Sequence, residues 1–318
     1  MPDISMTSGR VLILGKSGLV GSALLRNAPE GLQTFAPSRE ELNLQNRSEV
    51  SRYIDRHQIS SVILAAAKVG GIGANSRHQK DFLLQNLEIQ NSVIGAASNL
   101  EIPNFLFLGS SCIYPRMANQ PINESSLLTG PLEVTNEGYA LAKIAGIRLC
   151  KAIYEEQSLN YFSLMPTNLY GPNDNFDLLD SHVPAALMRK FHEAKINDSQ
   201  AVSVWGTGSP LREFMHVDDM ANACWFMLNT NAGGQLFNVG TGVETSIHDF
   251  AILMSSVVGF DGEICFDATQ PDGTPRKLLD SRKIQSLGWE HKISLAEGLK
   301  NAYEWYVEAL ERGCVRGQ

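Results

Sequence analysis

Apolar and polar residues change their spacing in a regular way along the chain. Arg10–Leu14 is a short run of β-branched residues and leucine that meets Gly15, and residues 18–28 then place Leu19, Leu24 and Leu25 at helical intervals. The exchange recurs: residues 33–36 predict a strand, 47–57 a helix, 61–66 a strand, 81–99 a long helix, Asn104–Leu108 a strand, 139–156 a helix and 161–164 a strand. Such alternation predicts an α/β fold, a Rossmann-type doubly wound parallel sheet covered by helices. Residues 1–167 carry it, rejoined by about 214–240, where 218–229 and 237–239 return to the helix and strand textures.

Beyond Pro166 the texture changes. Loops rich in Gly, Pro, Asn and Asp, at 170–175, 205–210 and 270–275, separate short elements. They predict a smaller, mixed α/β lobe over residues 168–318, with a discontinuous boundary, that closes a ligand site against the sheet. No internal repeat or low-complexity tract interrupts this organisation.

Composition narrows the partners. With 43% hydrophobic residues in 318, the chain can bury a proper core, and its formal net charge of −8 gives no general attraction to nucleic acid or an anionic membrane. Any phosphate it binds must therefore meet a local basic cluster. No apolar run approaches bilayer-spanning length, and residues 1–9 read as a polar start without a secretory signal. Cys112, Cys150, Cys224, Cys265 and Cys314 are scattered without metal-ligand spacing, which predicts a reducing, cytoplasmic setting, no disulfide framework and no metal site.

Candidate chemistry begins at the first turn. Gly15, Gly18 and Gly21, with Ser17, Leu19 and Val20 between them, follow a strand and open a helix, where backbone N–H groups and the helix dipole meet a pyrophosphate. After the second strand an NAD site wants Asp or Glu on the ribose hydroxyls. This chain has Ser38 and Arg39 instead, and a guanidinium there suits a 2′-phosphate, so the expected cofactor is NADP(H). Ser110-Ser111-Cys112 follows the strand ending in Leu108-Gly109, and Tyr139 and Lys143 stand one turn apart on a helix. A phenol near pKa 10 is a poor acid or base at neutrality, and a lysine one turn away is expected to favour its anion. The thiol is the unusual member. A plain ketone reductase needs only Ser, Tyr and Lys, so Cys112 suggests proton transfer at carbon, although a cysteine after a strand is more often a small buried hydrophobe.

The runs 15–21, 65–72, 108–115, 139–146, 165–176 and 212–220 together resemble the GDP-L-fucose synthase family of extended short-chain dehydrogenases/reductases, from near Arg10 to the last helix. The resemblance implies a GDP-4-keto-6-deoxy-D-mannose substrate, inverted at C3 and C5 and then reduced at C4. It implies Ser110, Tyr139 and Lys143 as the reductase triad and Cys112 and His182 as epimerisation base and acid. Lys190, Trp205, Arg212 and Asp272 fall where the family contacts the GDP-sugar. Pro166, Thr167, Asn168 and Leu169 fall on its cofactor stretch, together with Leu108, Gly109, Ser110, Ser111, Tyr139, Lys143 and His182. Ser17 departs from members that carry an arginine against the 2′-phosphate, which leaves that task to Arg39. Members commonly pair through the helices matching 81–99 and 139–156, which implies a homodimer.

Three rival activities are weighed against this. A dehydratase would follow its triad serine with acidic residues, where Ser111 and Cys112 stand, and a 4-epimerase that recycles bound NAD would want an acid near Arg39. A GDP-L-colitose synthase, acting on a 3-deoxy sugar with one inversion, is left open. From another class, a nucleotide-sensing module could keep the fold without the chemistry, and the intact triad argues against it.

Overall fold

A computed structural model describes residues 9–178, 180–270 and 272–318. The polar start lies outside them except for Gly9. Strands β1 (Arg10–Leu14), β2 (Gln33–Phe35), β3 (Ser61–Leu64), β4 (Asn104–Leu108) and β5 (Asn160–Pro166) alternate with helices α1 (Leu19–Arg26), α2 (Arg47–Arg56), α3 (Ile72–Arg77), α4 (Gln79–Asn99) and α5 (Glu137–Gln157). Then follow β6 (Asn168–Tyr170), α6 (Val183–Ile196), β7 (Ala201–Trp205), β8 (Leu211–His216), α7 (Val217–Leu228) and β9 (Leu236–Val239). The chain closes with β10 (Glu244–Ser246), α8 (Ile247–Val258), β11 (Glu263–Asp267), β12 (Arg276–Lys277), α9 (Arg282–Gln285) and α10 (Leu295–Glu311).

Six strands form one parallel sheet in the order β2-β1-β3-β4-β5-β9. Both faces are covered, which is why its central strands read as continuous apolar runs rather than alternating ones. Along β4 the pleat still sorts the side chains: Phe105 and Phe107 enter the core beneath α2, α4 and α5, while Leu106 and Leu108 enter the core shared with α1 and α7. Each such burial contributes about 1.5–3 kcal/mol. Strand order turns back on itself between β1 and β3, and a ligand crevice opens at such a point outside the carboxyl ends of the strands.

The remaining elements stand at that carboxyl edge. β8 pairs with β10, β12 and β6, while β7 pairs with β11. Phe214 of β8 stacks on Phe250 of α8 at 4.2 Å, within an aromatic core that includes Phe191 of α6 and Tyr306 of α10.

Element bounds differ from the sequence reading in informative places. The strand expected at 161–164 runs over Asn160–Pro166, because Ser163 to Pro166 find register partners in β9. The strand expected at 61–66 stops at Leu64, where the chain passes under the glycine loop. Helix α3 was not expected, since six residues containing Gly, Asn and Ser offer no apolar period.

Candidate active site

Local geometry at the end of β4 gathers the first reactive groups. Gly109 lies flat on β5, where a Cβ would sit 2.0 Å from the Met165 Cε. Ser110 then caps a single 3₁₀ turn, Ser111–Ile113, its Oγ accepting from the Cys112 N–H at 3.4 Å and from the thiol at 3.1 Å. Cys112 is 7% exposed. Burial pushes its thiol up, while Lys277, Ser110 and Lys143 pull against that shift.

Helix α5 delivers the second pair. The Lys143 Nζ donates to the Leu108 carbonyl at 2.8 Å and lies 4.8 Å over the Phe107 ring and 5.6 Å from the ring of Tyr139. Burial pulls this lysine down to about 8, with Cys112 opposing. Tyr139 shows the opposite of the expected shift. Burial pushes its phenol up, the charge of Cys112 adds to that, and a hydrogen bond from Ser110 only partly offsets it. The structure therefore holds Tyr139 as a neutral hydrogen-bond donor, with Lys143 committed to the Leu108 carbonyl.

Three further residues surround the thiol without having been singled out from sequence. Lys277 of β12, Glu133 and Asn136 line the same recess as Cys112. Burial pulls Lys277 down and the sulfur raises it. In sequence Lys277 is one basic residue in a two-residue strand, with no period to flag it. Only the pairing of β12 with β8, Lys277 against Arg212, brings it here.

The expected GDP-sugar residues fall into two linked groups. The Lys190 Nζ donates to the Ser203 carbonyl at 3.1 Å and stands 5.7 Å over the Trp205 ring, which is 55% exposed. Asp272 accepts from the Thr207 N–H at 2.7 Å and from its hydroxyl, closing the loop that follows Trp205. Burial pulls Arg212 down and Asp272 opposes it. Arg212 and Lys277 stand side by side on paired strands, whereas Arg276 is paired with Glu244 at 2.7 Å.

The nucleotide end is built on close approach. Gly15 has φ +105°, and a Cβ there would lie 2.8 Å from the Ala66 backbone nitrogen. Lys16 pairs with Glu41 at 3.4 Å, whereas Arg39 is exposed and makes no ion pair among the described residues. Thr167 and Asn168 both donate to the Glu213 carbonyl, at 3.0 and 2.8 Å. Leu169 stands in β6, beside Met215 of β8. The Arg316 guanidinium donates to the Ser17 carbonyl at 3.3 Å, a contact across nearly the whole chain that no local pattern announces.

His182 is not among the residues lining the recess around the thiol. It is exposed at the start of α6, makes no side-chain cap and has the buried Asp174 as its charged neighbour. A bond from the Gly71 N–H to the Asp180 carbonyl, 2.8 Å, ties this segment to the loop after β3. No hydrogen bond joins His182 to Cys112 or Tyr139 among the described residues. The described residues also hold no group of His, Cys, Asp and Glu suited to a metal ion.

A nucleotide-type sheet with Ser110, Tyr139 and Lys143 at its carboxyl edge, and with Arg212 and Lys277 on paired strands of the second lobe, has the arrangement of an oxidoreductase or epimerase. The chain belongs to the NAD dependent epimerase/dehydratase family, which it matches over residues 11–240. It is 53% identical to the putative GDP-L-fucose synthase 2 of Arabidopsis thaliana over 303 residues, 95% of this chain and 92% of the relative. It is 47% identical to the GDP-L-fucose synthase of Escherichia coli, covering 96% and 99%. The GDP-L-colitose synthase of Yersinia pseudotuberculosis is more distant at 34%, covering 94% and 98%. Among solved structures, MlghC, a GDP-mannoheptose C4 reductase from Campylobacter jejuni with NADP bound, matches with a TM-score of 0.85 and 34% identity, covering 95% of this chain and 99% of that one.

Proposed function

We propose that this protein converts GDP-4-keto-6-deoxy-D-mannose to GDP-L-fucose, by inversion at C3 and C5 and NADPH-dependent reduction at C4. The observation that carries the reading is the clustering of the Ser110 hydroxyl, the Cys112 thiol and the Tyr139 phenol in one buried patch, with Lys143 behind it. Higher identity to GDP-L-fucose synthases than to the colitose synthase favours the hydroxylated substrate.

C3 and C5 both flank the ketone, so loss of either proton leaves an enolate with its charge on the C4 oxygen. Ser110 and the neutral Tyr139 donate hydrogen bonds to that oxygen, the kind of stabilisation that often supplies the largest share of a barrier reduction. Cys112 removes the proton as thiolate, with Lys277 and Lys143 partly opposing the burial that disfavours that state. His182 returns a proton from the opposite face. Tyr139 finally gives its proton to the C4 oxygen, with the Lys143 ammonium 5.6 Å from its ring to favour the phenolate that is left.

The chain fits the nicotinamide cofactor. The Gly15 cradle would be filled by a Cβ, and the exposed Arg39 suits a 2′-phosphate. When bound, NADPH supplies the hydride. Arg212 and Lys277 grip the diphosphate from adjacent strands, and Trp205, Lys190 and Asp272 frame the nucleotide end.

Support for a homodimer comes from α4 and α5, which leave Leu84, Leu141 and Tyr154 exposed at 48%, 43% and 39%. Light scattering that returns the mass of one chain would remove that assembly. The five cysteines are all free, which agrees with a reducing, cytoplasmic setting, and no helix among the described residues is long and apolar enough to cross a membrane.

The deciding experiment is incubation with GDP-4-keto-6-deoxymannose and NADPH in deuterated water, followed by NMR of the sugar. GDP-L-fucose labelled at C3 and C5 is expected. Failure to oxidise NADPH with any GDP-keto-sugar would leave a nucleotide-sensing module as the better account.

A further inference from the structure

Asn136 occupies the N-cap of α5 yet does not cap it. Asparagine is favoured at that position because its side-chain oxygen accepts from a backbone N–H of the first turn. Here no such bond forms. The Gly138 N–H is satisfied by the Gln79 Oε1 at 3.0 Å, and the Gln79 Nε2 is itself anchored on the Val134 carbonyl at 2.7 Å. The usual structural duty of this asparagine is thus carried out by a residue of α4. Its own Oδ1 is buried and has no donor among the described residues.

Asn136 itself is among the residues that line the recess with Cys112, Glu133 and Lys277. Tyr139 follows three residues later, on the same side of the helix. A hexose whose C4 oxygen meets Tyr139 and Ser110 has two neighbouring carbons. C5 carries a methyl group and the ring oxygen, neither of them a donor, whereas C3 carries a hydroxyl. The donor next to the ketone is therefore the C3 hydroxyl.

Resting on the functional reading above, we infer that the Asn136 Oδ1 accepts a hydrogen bond from the C3 hydroxyl of the keto-hexose and so selects a hydroxylated sugar over its 3-deoxy counterpart. Selection follows because the analogue leaves the buried carbonyl unpaired, and a site built to bond a hydroxyl discriminates strongly against a ligand that lacks it. Holding that hydroxyl also steadies the ring while Cys112 works on the adjacent carbon.

The test compares kcat/KM for GDP-4-keto-6-deoxymannose and for GDP-4-keto-3,6-dideoxymannose, in the wild type and in Asn136→Ala. The wild type is expected to favour the hydroxylated sugar by at least about tenfold, and the variant to bring the two within about threefold by losing only the better one. NADPH affinity, read by fluorescence, stays unchanged. A wild type that treats both sugars alike overturns the assignment without reference to the variant, as does a variant that loses both in proportion. Turnover of neither sugar by the wild type would instead remove the functional reading, and this assignment with it.

Discussion

Cys112 and Lys143 carry the sharpest consequences of burial. Cys112→Ser is expected to abolish deuterium incorporation at C3 and C5, because a hydroxyl is far less acidic than a thiol, while NADPH affinity is unchanged; solvent-exchange NMR beside a binding titration checks both. Lys143 is held down to about 8 in the fold, against about 10.4 for the free side chain. Between those values the unfolded chain binds more protons than the folded one, so this residue makes stability rise with pH through that window, by roughly 3 kcal/mol at most. Below pH 8 its burial is a constant cost. Lys143→Met is expected to remove that rise and to abolish ketone reduction, and thermal melts of both proteins from pH 7 to 10.5 read the difference.

At the scale of elements, two connections hold the chemistry in place. The loop from β1 to α1 depends on Gly15, where a side chain would meet backbone at 2.8 Å in a left-handed conformation. Gly15→Ala is expected to cost about 1–3 kcal/mol and to weaken NADPH binding at least tenfold, measurable by denaturation and fluorescence titration. The start of α5 depends on Gln79, which satisfies the Gly138 N–H across from α4. Gln79→Ala is expected to destabilise by about 1 kcal/mol, the usual worth of a cap, and to lower kcat because Tyr139 stands on the same turn. A melt unchanged to within 1 °C would show that the cap has no thermodynamic role.

Across the whole molecule, one residue joins the two halves of the site. Glu213 is fully buried, its carboxylate accepting from the Gly242 N–H at 2.7 Å and the Leu279 N–H at 3.1 Å, its carbonyl from Thr167 and Asn168. It thereby fixes the loop after β9, the chain leaving β12 and the stretch after β5 around the strand that carries Arg212. Glu213→Ala, which leaves two N–H groups buried and unpaired, is expected to cost about 2–4 kcal/mol in urea denaturation. Charge also acts at this scale. In a chain of net charge −8 the diphosphate attraction is local, so Arg212→Ala is expected to raise KM for the GDP-sugar about tenfold or more; an unaltered KM would take Arg212 out of the diphosphate site.

The layered sheet was legible because its evidence is local. β-branched runs such as Val11 to Leu14 and Val62 to Leu64 and the helical spacing of Leu19, Leu24 and Leu25 each lie within a dozen residues, and period alone assigns them. Ser110, Cys112, Tyr139 and Lys143 stood out as candidates for a similar reason, the first two lying two residues apart and the second two one helical turn apart, within runs that resemble a known family. The amino-acid sequence by itself thus determined the strand and helix order of the parallel sheet apart from α3, the glycine turn and which side chains are candidates for acid–base work. Tertiary structure alone decided what surrounds them: Lys277 and Asn136 beside a thiol far away in sequence, Glu213 spanning three segments, and a phenol pushed up by burial where a neighbouring lysine was expected to lower it. Proximity and desolvation arise only when distant segments pack, and no pattern within a single segment encodes them.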